Sequence, residues 1–128
     1  MDEKKSLELL EHAREALKLS YSPYSNYAVG AAILCQDGSI YLGANIENAS
    51  YPAGICAERS AVSNAMAHGH RECVAIALVN TRKTPCYPCG ICRQVLAELM
   101  PEGQVILENM NGYESHKIRE IMPMMFLF

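Results

Sequence analysis

Two cysteine-bearing segments place the strongest constraint on how this chain folds. Cys56 follows a loop with a proline and a glycine, and Cys89 and Cys92 follow a loop with two prolines. All three cysteines lie at the start of a predicted helix. The positive end of a helix dipole favours thiolates at such positions. If both helices begin at one edge of a sheet, three sulfurs that are far apart in the sequence meet there.

The rest of the chain alternates short apolar runs with helical patterns. Residues 6–19 repeat apolar side chains at helical spacing, and residues 27–35 and 40–44 form a predicted hairpin around a Gln-Asp-Gly-Ser turn. We predict further helices over residues 56–68, 89–100 and 118–121, strands over residues 74–79 and 105–107, and a possible additional strand after the Asn-Gly turn at residues 111–112. This order predicts an α/β fold, a mixed sheet with helices on its faces, in a single domain over residues 1–128.

Composition excludes several classes of function. The chain has 128 residues, half of them hydrophobic and a fifth charged, and a net charge of -3. No broad basic surface is available for a phosphate backbone, so we expect no nucleic acid partner. No apolar run is long enough to cross a bilayer and no export signal opens the chain, so we expect a cytoplasmic protein without membrane contact. Its six cysteines are then reduced thiols, metal ligands or catalytic groups.

The three helix-start cysteines are suited to a catalytic zinc. Three protein ligands leave the fourth position of Zn²⁺ to water, which separates a catalytic site from a closed structural one. Glu58 lies two positions after Cys56, where a carboxylate can take and return protons. Three thiolates make the site anionic, and the neighbouring Arg59 is the side chain best placed to donate to a ligating sulfur, with Arg93 a weaker candidate.

Simpler interpretations exist for each residue alone. A single C-x-x-C pair is common as a redox centre or as half of a structural zinc site, and Cys86 has the same spacing from Cys89 as Cys92 has. Cys35 and Cys73 lie in or beside apolar strands, and we expect both to be core thiols. We expect no metal role for the four histidines. Only the combination of Cys56, Glu58 and the second cysteine cluster favours catalysis.

These residues resemble a known family. Cys56-Ala-Glu58 followed by Pro88-Cys-Gly-Ile-Cys92 is similar to the motif pair of zinc-dependent cytidine deaminases, in the small homotetrameric type with three cysteine ligands. Four further segments match in the same order: Pro23-Tyr-Ser-Asn-Tyr-Ala-Val-Gly-Ala-Ala32, Asn45-Ile-Glu-Asn-Ala-Ser-Tyr51, Cys89-Gly-Ile-Cys-Arg-Gln-Val95 and the Met-Pro-Met-Met-Phe126 ending. The resemblance implies a three-layer α-β-α sandwich with a mixed five-stranded sheet.

The resemblance also implies a reaction. It is hydrolytic deamination of cytidine and deoxycytidine to uridine and deoxyuridine with release of ammonia, a step of pyrimidine salvage. One Zn²⁺ per chain would be held by Cys56, Cys89 and Cys92, with Arg59 donating to their sulfurs. Glu58 would deprotonate the zinc-bound water and then pass protons to the base and to ammonia.

By the same resemblance, a second set of residues binds the nucleoside. Asn45 and Glu47 would hold the ribose hydroxyls, Tyr27 would line the pocket and the backbone of Ala57 would contact the base. In a homotetramer with shared sites, the implied contributions to a neighbouring subunit come from Ala49, Tyr51 and Phe126. A carboxylate at position 47 repels phosphate, so we expect free nucleosides rather than nucleotides as substrates.

Some features depart from the family pattern and leave rival functions open. Tyr27 stands where many relatives have Phe, the chain stops soon after Phe126, and Cys86 is an additional thiol. One rival is a blasticidin-type deaminase that acts on a modified cytosine nucleoside, although Asn45 and Glu47 favour plain cytidine. Another is a non-catalytic structural zinc module, in which Glu58 would affect stability alone.

Overall fold

A five-stranded mixed sheet with helices on both faces forms the molecule. The computed structural model describes all residues, Met1–Phe128. The helices are α1 (Glu3–Ala16), α2 (Ala57–Ala67), α3 (Gly90–Leu99) and α4 (Ile118–Ile121), and the strands are β1 (Val29–Cys35), β2 (Ile40–Ala44), β3 (Cys73–Asn80), β4 (Gln104–Asn109) and β5 (Gly112–Lys117). The strand order is β2-β1-β3-β4-β5, in which only β3 and β4 run parallel.

Alternation along the central strands divides the core into two layers. In β1, Ile33 faces a cluster shared with α2, α3 and α4, whereas Ala32 and Leu34 face a second cluster built around α1. Strand β3 repeats the pattern, with Leu78 on the first face and Ala77 on the second. Successive side chains of a strand point to opposite faces, so both faces of the sheet are apolar and both must be covered by helices.

Helix α1 begins at an acidic cap and lies very close to the sheet. The Asp2 carboxylate accepts a hydrogen bond of 2.8 Å from the backbone N–H of Lys5, which satisfies one of the free donors of the first turn. A Cβ at Gly30 of β1 would lie 2.2 Å from the carbonyl oxygen of Ala13. Only glycine at position 30 therefore allows α1 to pack at this distance.

Helix α2 makes the same kind of contact on the other face. A Cβ at Gly43 of β2 would lie 2.2 Å from the backbone nitrogen of Ala61 and 2.5 Å from the carbonyl oxygen of Ala57. The Asn64 side chain then donates to the carbonyl oxygen of Leu42 over 3.0 Å. Gly43 and Asn64 therefore fix the position of α2 relative to the sheet.

Three loops meet at one end of the central strands. Val29, the first residue of β1, pairs with Asn80, the last residue of β3, and Gly30 pairs with Ala44, the last residue of β2. The loops that precede β1, follow β2 and follow β3 therefore meet at this end. The loops after β2 and β3 lead directly into α2 and α3, as the cysteine positions predicted.

The predicted elements agree with the structure except at their ends. The first helix begins at Glu3 rather than at residue 6 because Asp2 caps it. The first strand begins at Val29 rather than at residue 27, and the strand predicted over residues 105–107 extends over Gln104–Asn109. The three-layer arrangement with a mixed five-stranded sheet is confirmed. No helix combines the length and the apolar character that crossing a bilayer requires.

Gly43→Ala is predicted to destabilise the protein because the new methyl group would collide with the backbone of α2 rather than with a movable side chain. We expect a loss of about 3 kcal/mol in the free energy of unfolding, measured by urea denaturation. Gly90→Ala is the matched control, since a Cβ there meets nothing within 4 Å. Equal stability of the two variants would contradict this account of the helix contact.

Candidate active site

Three sulfur atoms meet at the start of α2 and α3. Cys56 and Cys89 are the N-cap residues of these helices, and Cys92 lies in the first turn of α3. The three Sγ atoms lie within 4.8 Å of one another, and those of Cys56 and Cys89 are 4.0 Å apart. Neither N-cap sulfur bonds to the backbone of its own helix. All three sulfurs are therefore free to bind a common partner.

The donor set fits Zn²⁺. Tetrahedral Zn–S bonds of about 2.3 Å place sulfurs roughly 3.8 Å apart, close to the distance between Cys56 and Cys89. Cys92 is fully buried, Cys56 is half-buried and Cys89 is exposed, so one side of the cluster is open to a small ligand. No other group of three histidine, cysteine or acidic side chains has this arrangement.

Arg59 offsets the negative charge of the cluster. Its Nη2 donates to the Cys56 sulfur over 3.6 Å. Hydrogen bonding with Cys92, and then with Arg59, lowers the pKa of Cys56 to about 5. The same pairing with Cys56, together with burial, raises the pKa of Cys92. Contacts with the two sulfurs raise the pKa of Arg59, which stays charged. The Nε–H of Arg59 is buried without a partner and adds positive potential beside the sulfurs.

Glu58 is a buried carboxyl group on the apolar side of α2. It shares the core-facing stripe of the helix with Ala61, Val62 and Ala65, because residues three and four positions apart lie on one face. Only 5% of Glu58 is exposed, and this burial, followed by repulsion from Cys56, raises its pKa to about 7. A carboxyl group with such a pKa can exchange protons near neutrality.

An open cleft of about 620 Å³ lies beside the cluster. The predicted site residues that line it are Asn45, Glu47, Tyr51, Cys56, Arg59 and Cys89. Ala57 and Glu58 are buried at the start of α2, directly after Cys56. The cleft therefore joins the expected sugar-binding residues to the sulfur cluster.

Glu47 is held by the loop that precedes β1. One of its carboxylate oxygens accepts from the backbone N–H groups of Tyr24, at 2.9 Å, and Ser25, at 3.1 Å, and the other accepts from the Ser25 hydroxyl. The bond from Ser25 lowers the pKa of Glu47. Sequence reasoning missed Ser25. The only available signal was a serine in a turn, since its partner lies 22 residues away.

Asn45 has a structural role as well as a place in the cleft. Its Oδ1 accepts from the Ser20 hydroxyl at 2.6 Å and from the backbone N–H of Val29 at 2.9 Å. Its Nδ2 donates to the carbonyl oxygen of Tyr27 at 2.8 Å. One N–H of the amide has no protein partner in this set, and a ligand hydroxyl can accept from it.

Three other predicted residues lie elsewhere. Tyr27 is half-buried, and its hydroxyl donates to Cys86 over 3.6 Å. Ala49 is exposed on the loop after β2, and it does not line the cleft. Phe126 is 70% exposed, outside the cleft lining, and its carbonyl oxygen accepts from the Gln94 side chain at 2.8 Å. Ala49 and Phe126 thus make no contribution to the cleft of their own chain.

Arg93, the weaker candidate for donating a hydrogen bond to a sulfur of the cluster, bonds to backbone carbonyl oxygens instead. Its Nε donates to the carbonyl oxygen of Pro88 at 2.7 Å, and its Nη1 donates to that of Ile121 at 2.8 Å. Arg93 therefore ties the loop before α3 to α4. Cys35 and Cys73 are buried core thiols, as predicted, with sulfurs 3.8 Å apart.

Comparison with known proteins identifies similar sequences. Residues 3–108 match the family model for the cytidine and deoxycytidylate deaminase zinc-binding region. The chain is 48% identical to the cytidine deaminase of Halalkalibacterium halodurans over 117 residues, which cover 90% of this chain and 89% of that protein. It is 42% identical to the cytidine deaminase of Sporosarcina psychrophila over 120 residues, 90% of this chain and 86% of the relative.

Solved structures show the same architecture. The crystal structure of cytidine deaminase from Burkholderia pseudomallei superposes with a TM-score of 0.88 at 41% identity, and the match covers 98% of this chain and 100% of that one. The cytidine deaminase of Mycobacterium tuberculosis gives a TM-score of 0.84 at 33% identity, over 95% of this chain and 97% of that one.

Two cysteine substitutions separate the sulfur cluster from the additional thiol. Cys89→Ser is predicted to remove most of the zinc that the protein binds, because it deletes one of the three sulfurs of the cluster. Cys86→Ser is the matched control and is expected to retain zinc, since Cys86 is not part of the cluster. Metal analysis after dialysis measures both. Zinc loss from Cys86→Ser, with retention in Cys89→Ser, would mean that the ligand set is wrong.

Proposed function

The chain belongs to the cytidine and deoxycytidylate deaminase family, and from this premise we propose that it hydrolyses cytidine and deoxycytidine to uridine and deoxyuridine with release of ammonia. One observation carries the proposal. Three sulfurs that can bind one metal ion lie beside a buried carboxyl group, at the end of a cleft lined by Asn45 and Glu47. A closed structural zinc site needs neither the carboxyl group nor the cleft.

The proposed metal ligands are Cys56, Cys89 and Cys92, with one Zn²⁺ per chain. When bound there, Zn²⁺ supplies the Lewis acidity that lets water lose a proton near neutral pH. Arg59 and the amino termini of α2 and α3 stabilise the anionic sulfurs that hold it. This positive potential is needed because three thiolates carry more negative charge than one divalent cation neutralises.

Glu58 is the proposed general base and general acid. Its carboxylate accepts a proton from the attacking water while the water oxygen bonds to C4 of the cytosine ring. It delivers this proton to N3, then accepts the proton of the new C4 hydroxyl and passes it to the amino group as the C4–N bond breaks, so that cytidine and water become uridine and ammonia. The position of Glu58 two residues after Cys56, on the same helix, keeps it beside the reacting atoms through both transfers.

The cleft supports a ribose or deoxyribose next to the base. Glu47 is a fixed acceptor for a sugar hydroxyl, because Tyr24 and Ser25 already orient it. Asn45 offers its remaining N–H as a donor. We assign Ala57 to backbone contact with the base, Tyr27 to the wall of the pocket, and Glu47 also to the exclusion of phosphate.

We propose that the enzyme is a homotetramer with shared sites. Tyr51 and Phe126 are 79% and 70% exposed and Phe128 is fully exposed, so a single chain leaves these apolar side chains uncovered. Ala49 and Phe126 would then reach the cleft of a neighbouring subunit, and Tyr51, which lines the cleft of its own chain, would reach it as well. We assign the whole chain, residues 1–128, to one deaminase domain that acts in cytoplasmic pyrimidine salvage, where its six free cysteines stay reduced.

Glu58→Gln is predicted to lower kcat for cytidine by about 10²- to 10⁴-fold, because it removes proton transfer while keeping the size of the side chain. Loss of cytidine absorbance and release of ammonia measure the rate, and metal analysis shows whether zinc stays bound. Glu3→Gln, at the start of α1, is the control for a carboxylate in a first helical turn. A wild-type protein that binds zinc but releases no ammonia would instead be a structural zinc module.

We predict that kcat/KM for deoxycytidine is about tenfold higher than kcat/KM for deoxycytidine 5′-monophosphate, because the ionised Glu47 repels a phosphate group. Raising the ionic strength should narrow this ratio, since salt screens repulsion between exposed charges. Glu47→Gln should narrow it as well. Equal turnover of nucleoside and nucleotide at low salt would contradict the assignment of Glu47.

A further inference from the structure

The proposed function assigns the Tyr27 ring to the wall of the pocket but gives no role to the Tyr27 hydroxyl or to Cys86. The Tyr27 hydroxyl donates to the Cys86 sulfur over 3.6 Å. Burial, followed by this contact, raises the pKa of Tyr27 to about 12, so the hydroxyl keeps its proton and acts as a donor. A hydroxyl removed from water needs a partner, and for Tyr27 the structure provides a sulfur.

The loop between β3 and α3 holds Cys86 in place. Asn80, which is 2% exposed at the end of β3, donates to the carbonyl oxygen of Thr84 at 2.7 Å. Its Oδ1 accepts from the backbone N–H of Arg82 at 2.8 Å. The loop is therefore folded around a buried side chain, and Cys86 packs against the core immediately after it.

The same loop also contacts the face of the tyrosine. The guanidinium carbon of Arg82 lies 5.1 Å from the centre of the Tyr27 ring, within the range of a cation–π interaction. Arg82 and Cys86 thus hold the ring at its face and at its hydroxyl. On the opposite side, the backbone of Tyr27 donates to the Ser25 hydroxyl at 3.0 Å and accepts from Asn45 at 2.8 Å, the residues that organise the sugar end of the cleft.

We propose that Cys86 and Arg82 are positioning residues that fix the Tyr27 ring, which the proposed function assigns to the wall of the nucleoside pocket, with the Tyr27 hydroxyl engaged by Cys86 instead of by the substrate. This inference rests on the proposed function. It assigns roles to the additional thiol and to the tyrosine hydroxyl through a single contact. This role of Cys86 is separate from metal binding, since Cys86 lies outside the sulfur cluster.

The expected signature is a change in KM without a change in kcat. Cys86→Ala leaves the Tyr27 hydroxyl without its partner, so the ring is less well fixed and KM for cytidine should rise about threefold, the effect of losing one weak hydrogen bond. Cys86→Ser keeps an acceptor and should retain the wild-type KM. Tyr27→Phe added to Cys86→Ala should restore KM, because no unpaired hydroxyl remains. Such non-additivity in a double-mutant cycle identifies the contact.

Arg82→Met should also raise KM, whereas Lys83→Met is the matched control, because the adjacent lysine has no contact with the ring. Unchanged KM in Cys86→Ala, or additive effects of Cys86→Ala and Tyr27→Phe, would overturn the proposal. So would a fall in kcat with loss of zinc in Cys86→Ala, since Cys86 would then act on the metal site.

A second measurement separates this inference from the proposed reaction. Calorimetry gives the Kd for cytidine in the Glu58→Gln background, where turnover is suppressed. A threefold weaker Kd in the Cys86→Ala, Glu58→Gln double variant would support the positioning role even if wild-type protein released no ammonia. If the wild-type enzyme is active, and Cys86→Ala changes neither KM nor the Kd for cytidine, the positioning role alone would be overturned.

Discussion

The meeting of two helix amino termini around three sulfurs is the interaction on which the site depends. Cys56 and Cys89 occupy the cap positions where an oxygen side chain would usually satisfy the first backbone N–H groups, yet their sulfurs make no such bond. The chain forgoes two helix caps and keeps the positive potential of both termini directed at the cluster. The contact at Gly43 brings α2 close enough to the sheet for Cys56 to reach the cysteines of α3.

Burial of Glu58 follows from the same helix placement. A carboxyl group in the core-facing stripe of α2 has little contact with water, and this burial opposes ionisation. Two neighbours act in opposite directions: the Cys56 sulfur disfavours the carboxylate and Arg59 favours it. The resulting balance suits a group that must hold a proton in one step and release it in the next. The proton-transfer role proposed for Glu58 gives a reason for a burial that stability alone would disfavour.

Local patterns were sufficient to predict the elements and the sulfur cluster, but not the contacts between loops. The Pro and Gly breaks before Cys56 and Cys89 located both helix starts because caps are set by neighbouring residues. The bond from Ser25 to Glu47 and the sulfur partner of Tyr27 join residues from different loops, and no periodicity reports them. Arg93 shows the converse error: its neighbour Cys92 suggested a sulfur contact, but α4 offers a carbonyl oxygen that a long guanidinium reaches instead.

In the single chain, part of the candidate active site is open to solvent. Cys89 is exposed beside the cleft, and Tyr51 on the cleft wall is 79% exposed, although attack by one water molecule is best served by a site that excludes other water. The apolar ending, with Phe126 and Phe128, is exposed as well and does not line the cleft of its own chain. Packing of one copy on another would bury both surfaces at once. In the proposed homotetramer, a neighbouring chain would therefore supply the cover that the sheet and its four helices do not.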